Sequence, residues 1–255
     1  MNKNLLLWLV SFIVLYIICY IHAVTESSFP ISGSLLINGQ NFIYKLDKSA
    51  YTTKQPVVKI YSEGINSYYP VIQWSNRRDF ASIDSLKMNY ENGFFIGTLP
   101  IMKQPGYLNY RLKISTNKEV YYIPENSFVT MKYEGNIPSS ILGVYYIALY
   151  VGLLLSIRLG LEYFSKSVKY RKLVFFIIAL FFVHAFAINP LMQSFRLGVF
   201  NKHLPAISDI FLIYPLLIFL AWAICLIAIF KFTTKKTPVI ITSIATILIY
   251  LCIRN

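Results

Sequence analysis

Polar side chains able to do chemistry are sparse in the apolar parts of this chain. His22 and His184 both fall in long apolar stretches, and two imidazoles at similar depth could ligate a haem. Gln193, Arg196 and Asp209 follow His184 through a polar break, so His184, Gln193, Arg196 and Asp209 could together line a small cavity. Arg158 and Glu162 stand four residues apart, the spacing that pairs opposite charges on one helix face. A second spacing is chemically mute but physically informative. Ala148, Gly152, Ser156 and Gly160 recur every fourth residue, and small residues on one face let another helix approach closely in lipid. Leu153 lies about 100° around the helix from that strip.

Nucleophile elbows, phosphate-binding glycine loops, HExxH and CxxC are absent from the sequence. A haem pair would be favoured by two histidines on one helix or by glycine beside the ligands, and neither pattern occurs, so no cofactor is expected. Cys19, Cys225 and Cys252 all fall in apolar runs, lack metal-site spacing and read as small apolar residues. Glu162 and Asp209 are the only carboxylates outside the segment 25–137. Proton-coupled transport normally places ionisable groups near the membrane midplane, which disfavours that class.

Five apolar runs must position these groups: 5–24, 141–157, 173–188, 207–230 and 237–253. A hydrocarbon layer about 30 Å thick takes about 20 apolar residues of helix, or about 17 at the short end. Charged residues make up 14% of the chain, against roughly 25% in soluble domains. The fold class expected is therefore five transmembrane helices plus one water-facing domain. Its parts are an anchor over 1–24, the outer domain over 25–137, and a four-helix membrane domain over 138–255 with an outer loop at 189–206. Lys3 and the first run also resemble a signal peptide, but the run exceeds the usual 7–15 residues and Ile21-His22-Ala23 is a poor cleavage site, so an uncleaved anchor is expected. Pro215, about two turns inside the fourth run, should kink that helix.

The net charge of +13 resolves on mapping: 25–137 holds twelve Lys/Arg against nine Asp/Glu, and the remaining +10 sits in short loops. That is a topology and anionic-lipid signal, so membrane lipids are expected partners and nucleic acid is not. Arg158, Lys166, Lys169, Arg171, Lys172, Lys231, Lys235 and Lys236 mark the cytoplasmic side. The N-terminus is then inside, and 25–137 and the C-terminus are outside. The outer domain has neither cysteine nor an Asn-x-Ser/Thr sequon, which favours a bacterial inner membrane with this domain in the periplasm.

Segment 107–115 alternates: Leu108, Tyr110, Leu112 and Ile114 face one way, Asn109, Arg111 and Lys113 the other, a half-buried strand. Stretches 35–37, 42–46, 57–62, 71–75, 86–90, 94–99, 119–123 and 128–133 behave alike, with Asn38-Gly39 and Asn92-Gly93 suited to tight hairpins. Short strands about ten residues apart predict an all-β, immunoglobulin-like sandwich. Its candidate binding loops carry Tyr68, Tyr69, Arg77, Arg78 and Phe80, types favoured at interface centres. The alternative is that Tyr69 and Trp74 pack inward and the arginines are merely solvated.

The chain resembles a family of uncharacterised bacterial inner-membrane proteins that join an anchor helix, a β-sandwich and C-terminal helices. The resemblance rests on Phe42-Ile-Tyr-Lys-Leu-Asp-Lys-Ser49, on Met131-Lys-Tyr-Glu-Gly-Asn-Ile-Pro138 leading into Leu155-Ser-Ile-Arg-Leu-Gly-Leu-Glu162, and on Asn189-Pro-Leu-Met-Gln-Ser-Phe195 through Gly198. The family pattern has a histidine in the second crossing and an Asp-Asn-Lys cluster opening the fourth. Here Val144-Tyr-Tyr-Ile-Ala-Leu-Tyr150 lacks the histidine, and of the cluster only Asp209 has a counterpart. The resemblance implies no activity. The functional expectation is a non-catalytic subunit or scaffold of an envelope complex, with a protein partner in the membrane or periplasm. The alternative is a small cofactor-binding or transport protein using the outer polar cavity. The charge asymmetry predicts that a periplasm-active reporter fused after Asn136 is active and one fused after Lys169 is silent; the reverse pattern would contradict this orientation.

Overall fold

The computed structural model describes residues 3–25, 29–62, 68–76, 82–116, 119–164, 170–198, 206–231 and 237–252. The chain forms two compact units, one of Met1–Ser27, Ile137–Phe195 and Val199–Asn255, the other of Ser28–Asn136 with Arg196–Gly198.

The first unit is helical: α1 (Lys3–Thr25), α2 (Ser139–Leu161), α3 (Tyr170–Val183), a π turn (His184–Ile188), α4 (Asn189–Arg196), α5 (Ile207–Ile210), α6 (Ile213–Lys231) and α7 (Thr237–Cys252). Among the described residues, four helical spans are long and apolar enough to cross a membrane: Asn4–Thr25, Ser139–Leu161, Arg171–Arg196 and Ile213–Lys231. Helix α7 is apolar but shorter, at 16 residues. Helix α2 packs against α1, α3 and α7, while α6 closes the bundle against α3 and α7. Leu159, Val174, Phe181, Ile218 and Trp222 join α2, α3 and α6 in one buried cluster. Ile18, Leu149, Leu153, Ile157 and Tyr250 join α1, α2 and α7 in another. Leu153 is thus buried although it lies off the small-residue strip, because α2 is enclosed on several sides.

Three helix expectations change. Segment 189–196 is helical rather than loop: the π turn carries α3 directly into α4, with the Asn189 N–H donating to the His184 carbonyl. Pro190 has no N–H to offer, and the wider turn before it accommodates the missing bond. Helix α6 starts at Ile213, so Pro215 lies in its first turn, where proline is tolerated, and is not the mid-helix kink expected. Asp209 belongs to the separate four-residue α5 and is exposed.

The second unit is two sheets. One has the order β1 (Ile31–Ile37), β2 (Gln40–Leu46), β4 (Val57–Ser62), β8 (Phe94–Thr98), β7 (Asn89–Glu91). The other has the order β3 (Ser49–Tyr51), β11 (Val129–Glu134), β9 (Gly106–Ser115), β5 (Tyr69–Ser75), β6 (Asp84–Lys87), with β10 (Val120–Ile123) also beside β9. Among the described residues, all strand pairings are antiparallel except β11 with β3. The inward residues of both sheets, among them Phe42, Ile60, Ile72, Phe95, Leu108 and Leu112, form one buried cluster. The predicted strand 86–90 is in fact two strands in different sheets. The chain switches sheets at Met88, whose side chain enters the core while its N–H bonds the Pro70 carbonyl at 3.0 Å. Asn38-Gly39 and Asn92-Gly93 have φ of 49° and 82°, and 50° and 83°, the doubly positive pair that a two-residue hairpin needs. Gly97 is required by close approach: a Cβ there would lie 2.5 Å from Ile72 Cδ1 of the facing sheet.

Two core tyrosines meet the demand for a buried hydroxyl partner. Tyr110 Oη donates to the Asp47 carbonyl and Tyr133 Oη to the Pro100 carbonyl, both at 2.8 Å. Burial raises the Tyr110 phenol well above the usual tyrosine range and pushes Tyr133 up to about 12. Unfolded tyrosines ionise near pH ~10, so this stabilisation is whole below pH ~10 and lost as pH rises beyond it. Tyr110→Phe is expected to cost about 1–3 kcal/mol at neutral pH, since the Asp47 carbonyl loses its donor, and to flatten the alkaline decline of the melting temperature. An unchanged melting profile would refute this role.

Candidate functional site

The small-residue strip on α2 is buried along its whole length, and its neighbours lie in the same chain. A Cβ on Gly152 would sit 2.8 Å from Phe181 Cε1 of α3, and one on Gly160 would sit 2.5 Å from Ser243 Oγ of α7. Ser243 Oγ donates to the Ser156 carbonyl at 2.8 Å, while Ser156 Oγ donates back to the Gly152 carbonyl at 2.7 Å. Between α6 and α7, Trp222 Nε1 donates to Thr246 Oγ1 at 2.9 Å, and that hydroxyl donates to the Thr242 carbonyl at 2.8 Å. The strip therefore works as an internal seam. The partners Thr242, Ser243 and Thr246 were not singled out in the sequence, although three hydroxyls in an apolar run were the visible signal.

Arg158 and Glu162 pair at 2.8 Å, and the arginine also donates to Asn4 Oδ1 at 2.6 Å and lies 5.5 Å from the Trp8 ring. Interfacial arginines commonly snorkel to the headgroups; this one is instead buried. Its contacts tie the start of α1 to the end of α2.

The expected cavity set separates. His184 and Gln193 lie on one continuous helix, and Asn189 joins them. An α-helix would place residues five apart on different faces, whereas a π turn brings positions i and i+5 together, and 189 to 193 is an ordinary α-helical step. His184, Asn189 and Gln193 are each buried, at 2%, 0% and 4% exposure, and the π turn rotates Asn189 toward the side of the helix that carries His184. His184 Nε2, both side-chain polar atoms of Asn189, and Gln193 Nε2 have no hydrogen-bond partner among the described residues. The His184 ring packs 4.9 Å from Tyr145, whereas His22 packs 4.5 Å from Tyr250, so the two imidazoles serve different contacts. Arg196 lies in the sheet unit, where its Nε is 3.0 Å from Glu134 Oε2 and its carbonyl accepts from Gly135 N–H. Sequence spacing does not mark Asn189, because the π turn that precedes it leaves no signal in the apolar pattern.

In the sheet unit, Tyr68 is half-buried, its hydroxyl donating to the Ile37 carbonyl at 2.9 Å and its ring edge-on to Phe42. Tyr69 is exposed, and Trp74 is partly buried against the core. Arg77, Arg78 and Phe80 lie outside the described residues. Arg111 is held between the Tyr122 and Phe128 rings while donating to Gln73 Oε1 at 2.9 Å.

No protein family, curated protein or solved structure matches the chain.

Two outcomes follow from this geometry. Gly152→Leu forces a side chain into Phe181 and should lower the melting temperature in detergent, at a cost of about 1–3 kcal/mol or more. Val151→Leu, on the exposed side of the same turn, should leave the melting temperature unchanged, and equal behaviour of the two would remove the seam. Asn189→Leu exchanges an unpaired buried amide, costing about 1–3 kcal/mol, for a similar apolar volume. The variant is expected to melt higher, and a lower melting temperature would show the amide to be engaged.

Proposed function

We propose that this chain is a multi-pass protein of a bacterial inner membrane, α7 adding a fifth crossing to the four long spans. In this reading the N-terminus is cytoplasmic and the sheet unit is a periplasmic immunoglobulin-like sandwich. The protein acts as a non-catalytic subunit or scaffold of an envelope complex, and the sandwich binds a partner protein. The same reading keeps the resemblance to anchor-plus-sandwich inner-membrane proteins as its family proposal.

The observation that carries the binding role is the strand order. It supports the immunoglobulin-like reading: β2, β4, β8 and β7 follow one another in the order of strands A, B, E and D of such a sandwich, and β11, β9, β5 and β6 in the order of G, F, C and C′. β3 continues β2 after a break at Asp47-Lys48 and runs parallel to the last strand. Trp74, partly buried against the core, lies on the strand that would be C, but the two cysteines that flank the core tryptophan of antibody domains are absent from 25–137, so the likeness is one of architecture. Sandwiches of this order present faces and loops to other proteins far more often than they catalyse. The helical unit is consistent with an anchor, because its small-residue strip is occupied inside the chain.

A second reading has one observation in its favour. The unpaired polar atoms of His184, Asn189 and Gln193 suit a small membrane protein that binds a polar ligand at that face. A visible absorption band in the purified protein, lost in His184→Ala, would favour it.

The binding reading is tested by replacing residues 29–136 with a flexible linker and purifying both forms from native membranes in mild detergent. The expected result is a stoichiometric protein partner with the full chain that is absent from the truncated form. A partner retained by the truncated form, or none with either, would contradict it.

A further inference from the structure

The outer face of the sheet β1-β2-β4-β8-β7 carries two adjacent rows of different character. Strand register sets Ser34, Ile43, Tyr61, Phe94 and Glu91 side by side across all five strands. Ile43, Tyr61 and Phe94, central in that row, are 48%, 37% and 39% exposed. The Tyr61 and Phe94 rings meet edge to face with centroids 5.5 Å apart, a contact that fixes both aromatics. The neighbouring row is Ser32, Lys45, Lys59, Ile96 and Asn89. Lys45 and Lys59 are directly opposite one another, both exposed, and neither joins an ion pair among the described residues.

Like charges directly opposite across two strands destabilise a sheet. Nothing in the core requires this pair, since both side chains point away from it. A carboxylate brought from outside would turn the repulsion into attraction, beside an aromatic and aliphatic row of the composition found at interface centres. Five strands about 4.8 Å apart span roughly 19 Å, enough to seat the centre of an interface of about 800 Å² per partner. The fixed Tyr61–Phe94 relief calls for a surface of matching shape, as a folded protein offers and a fluid lipid layer does not.

We propose that this face docks an acidic protein surface, its apolar part covering Ile43, Tyr61 and Phe94 and its carboxylates meeting Lys45 and Lys59. The proposal rests on the binding role assigned above to the sheet unit and specifies its face and the partner's charge.

The test uses the full chain in native membranes, with the photo-crosslinker p-benzoylphenylalanine introduced as Tyr61→p-benzoylphenylalanine or, on the other sheet, as Tyr69→p-benzoylphenylalanine. Crosslinked products are sequenced by mass spectrometry. The expected result is a protein adduct at position 61 whose linked peptide neighbours Asp or Glu residues. Its yield should fall about tenfold or more when Lys45→Glu and Lys59→Glu are combined, since like-charge juxtaposition at an interface costs several kcal/mol. Lys45→Arg with Lys59→Arg should retain the yield. Adducts at position 61 to lipid only, to a second copy of the chain, or to a basic peptide would overturn the proposal, as would a yield indifferent to charge reversal. A protein adduct from position 69 alone would overturn this face while leaving the binding role standing. Silence at both positions would remove both.

Discussion

Close approach to α2 is the constraint on which the helical unit depends. Between helices in lipid there is little hydrophobic drive, because the surrounding tails are as apolar as the side chains; contact comes from van der Waals fit and hydrogen bonds. Both are supplied along one strip. Gly152 leaves room for Phe181, Gly160 leaves room for Ser243, and the Ser243 hydroxyl reaches the Ser156 carbonyl at 2.8 Å. That hydroxyl bond draws α7 onto α2, and Trp222 and Thr246 then lock α7 to α6. The sheet unit obeys a different rule: water drives its two inner faces together, and its buried hydroxyls on Tyr110 and Tyr133 find carbonyls across the core.

Much of this architecture was legible because the signals are periodic. Alternation over 107–115 gave β9 its inward face, and Asn-Gly pairs marked two hairpins because few other residues tolerate consecutive positive φ. Unbroken apolar length marked the helices. What failed depended on a local event that periodicity averages away. Segment 86–90 alternates like one strand, yet the chain changes sheets at Met88. Segment 189–196 contains Asn-Pro, a strong break signal, yet one π turn keeps it helical. Asp209 and Pro215 shifted in meaning together once α6 began at Ile213 rather than at 207.

The candidate sites divide along the same line. The strip Ala148, Gly152, Ser156, Gly160 could be named from spacing alone, but whether it served its own chain or another required coordinates. Of the cavity set, only His184 and Gln193 are buried in one continuous helical segment, and the residue between them, Asn189, stands out from burial and helix geometry rather than composition. The lysine pair on the solvent face of the β1-β2-β4-β8-β7 sheet was invisible in sequence for a general reason. Lys45 and Lys59 lie on different strands, and only register sets them opposite.

The most direct test of the account is whether the α2 strip meets α7 of its own chain. An ideal Cβ at Gly160 lies 2.8 Å from Ser243 Cβ, closer than the roughly 3.8 Å of a disulfide, so a small shift joins the two positions. With Cys19, Cys225 and Cys252 replaced by alanine, Gly160→Cys and Ser243→Cys should form, on mild oxidation in the membrane, a disulfide within one chain that migrates as monomer. A disulfide-linked dimer in place of that intrachain bond would contradict the account.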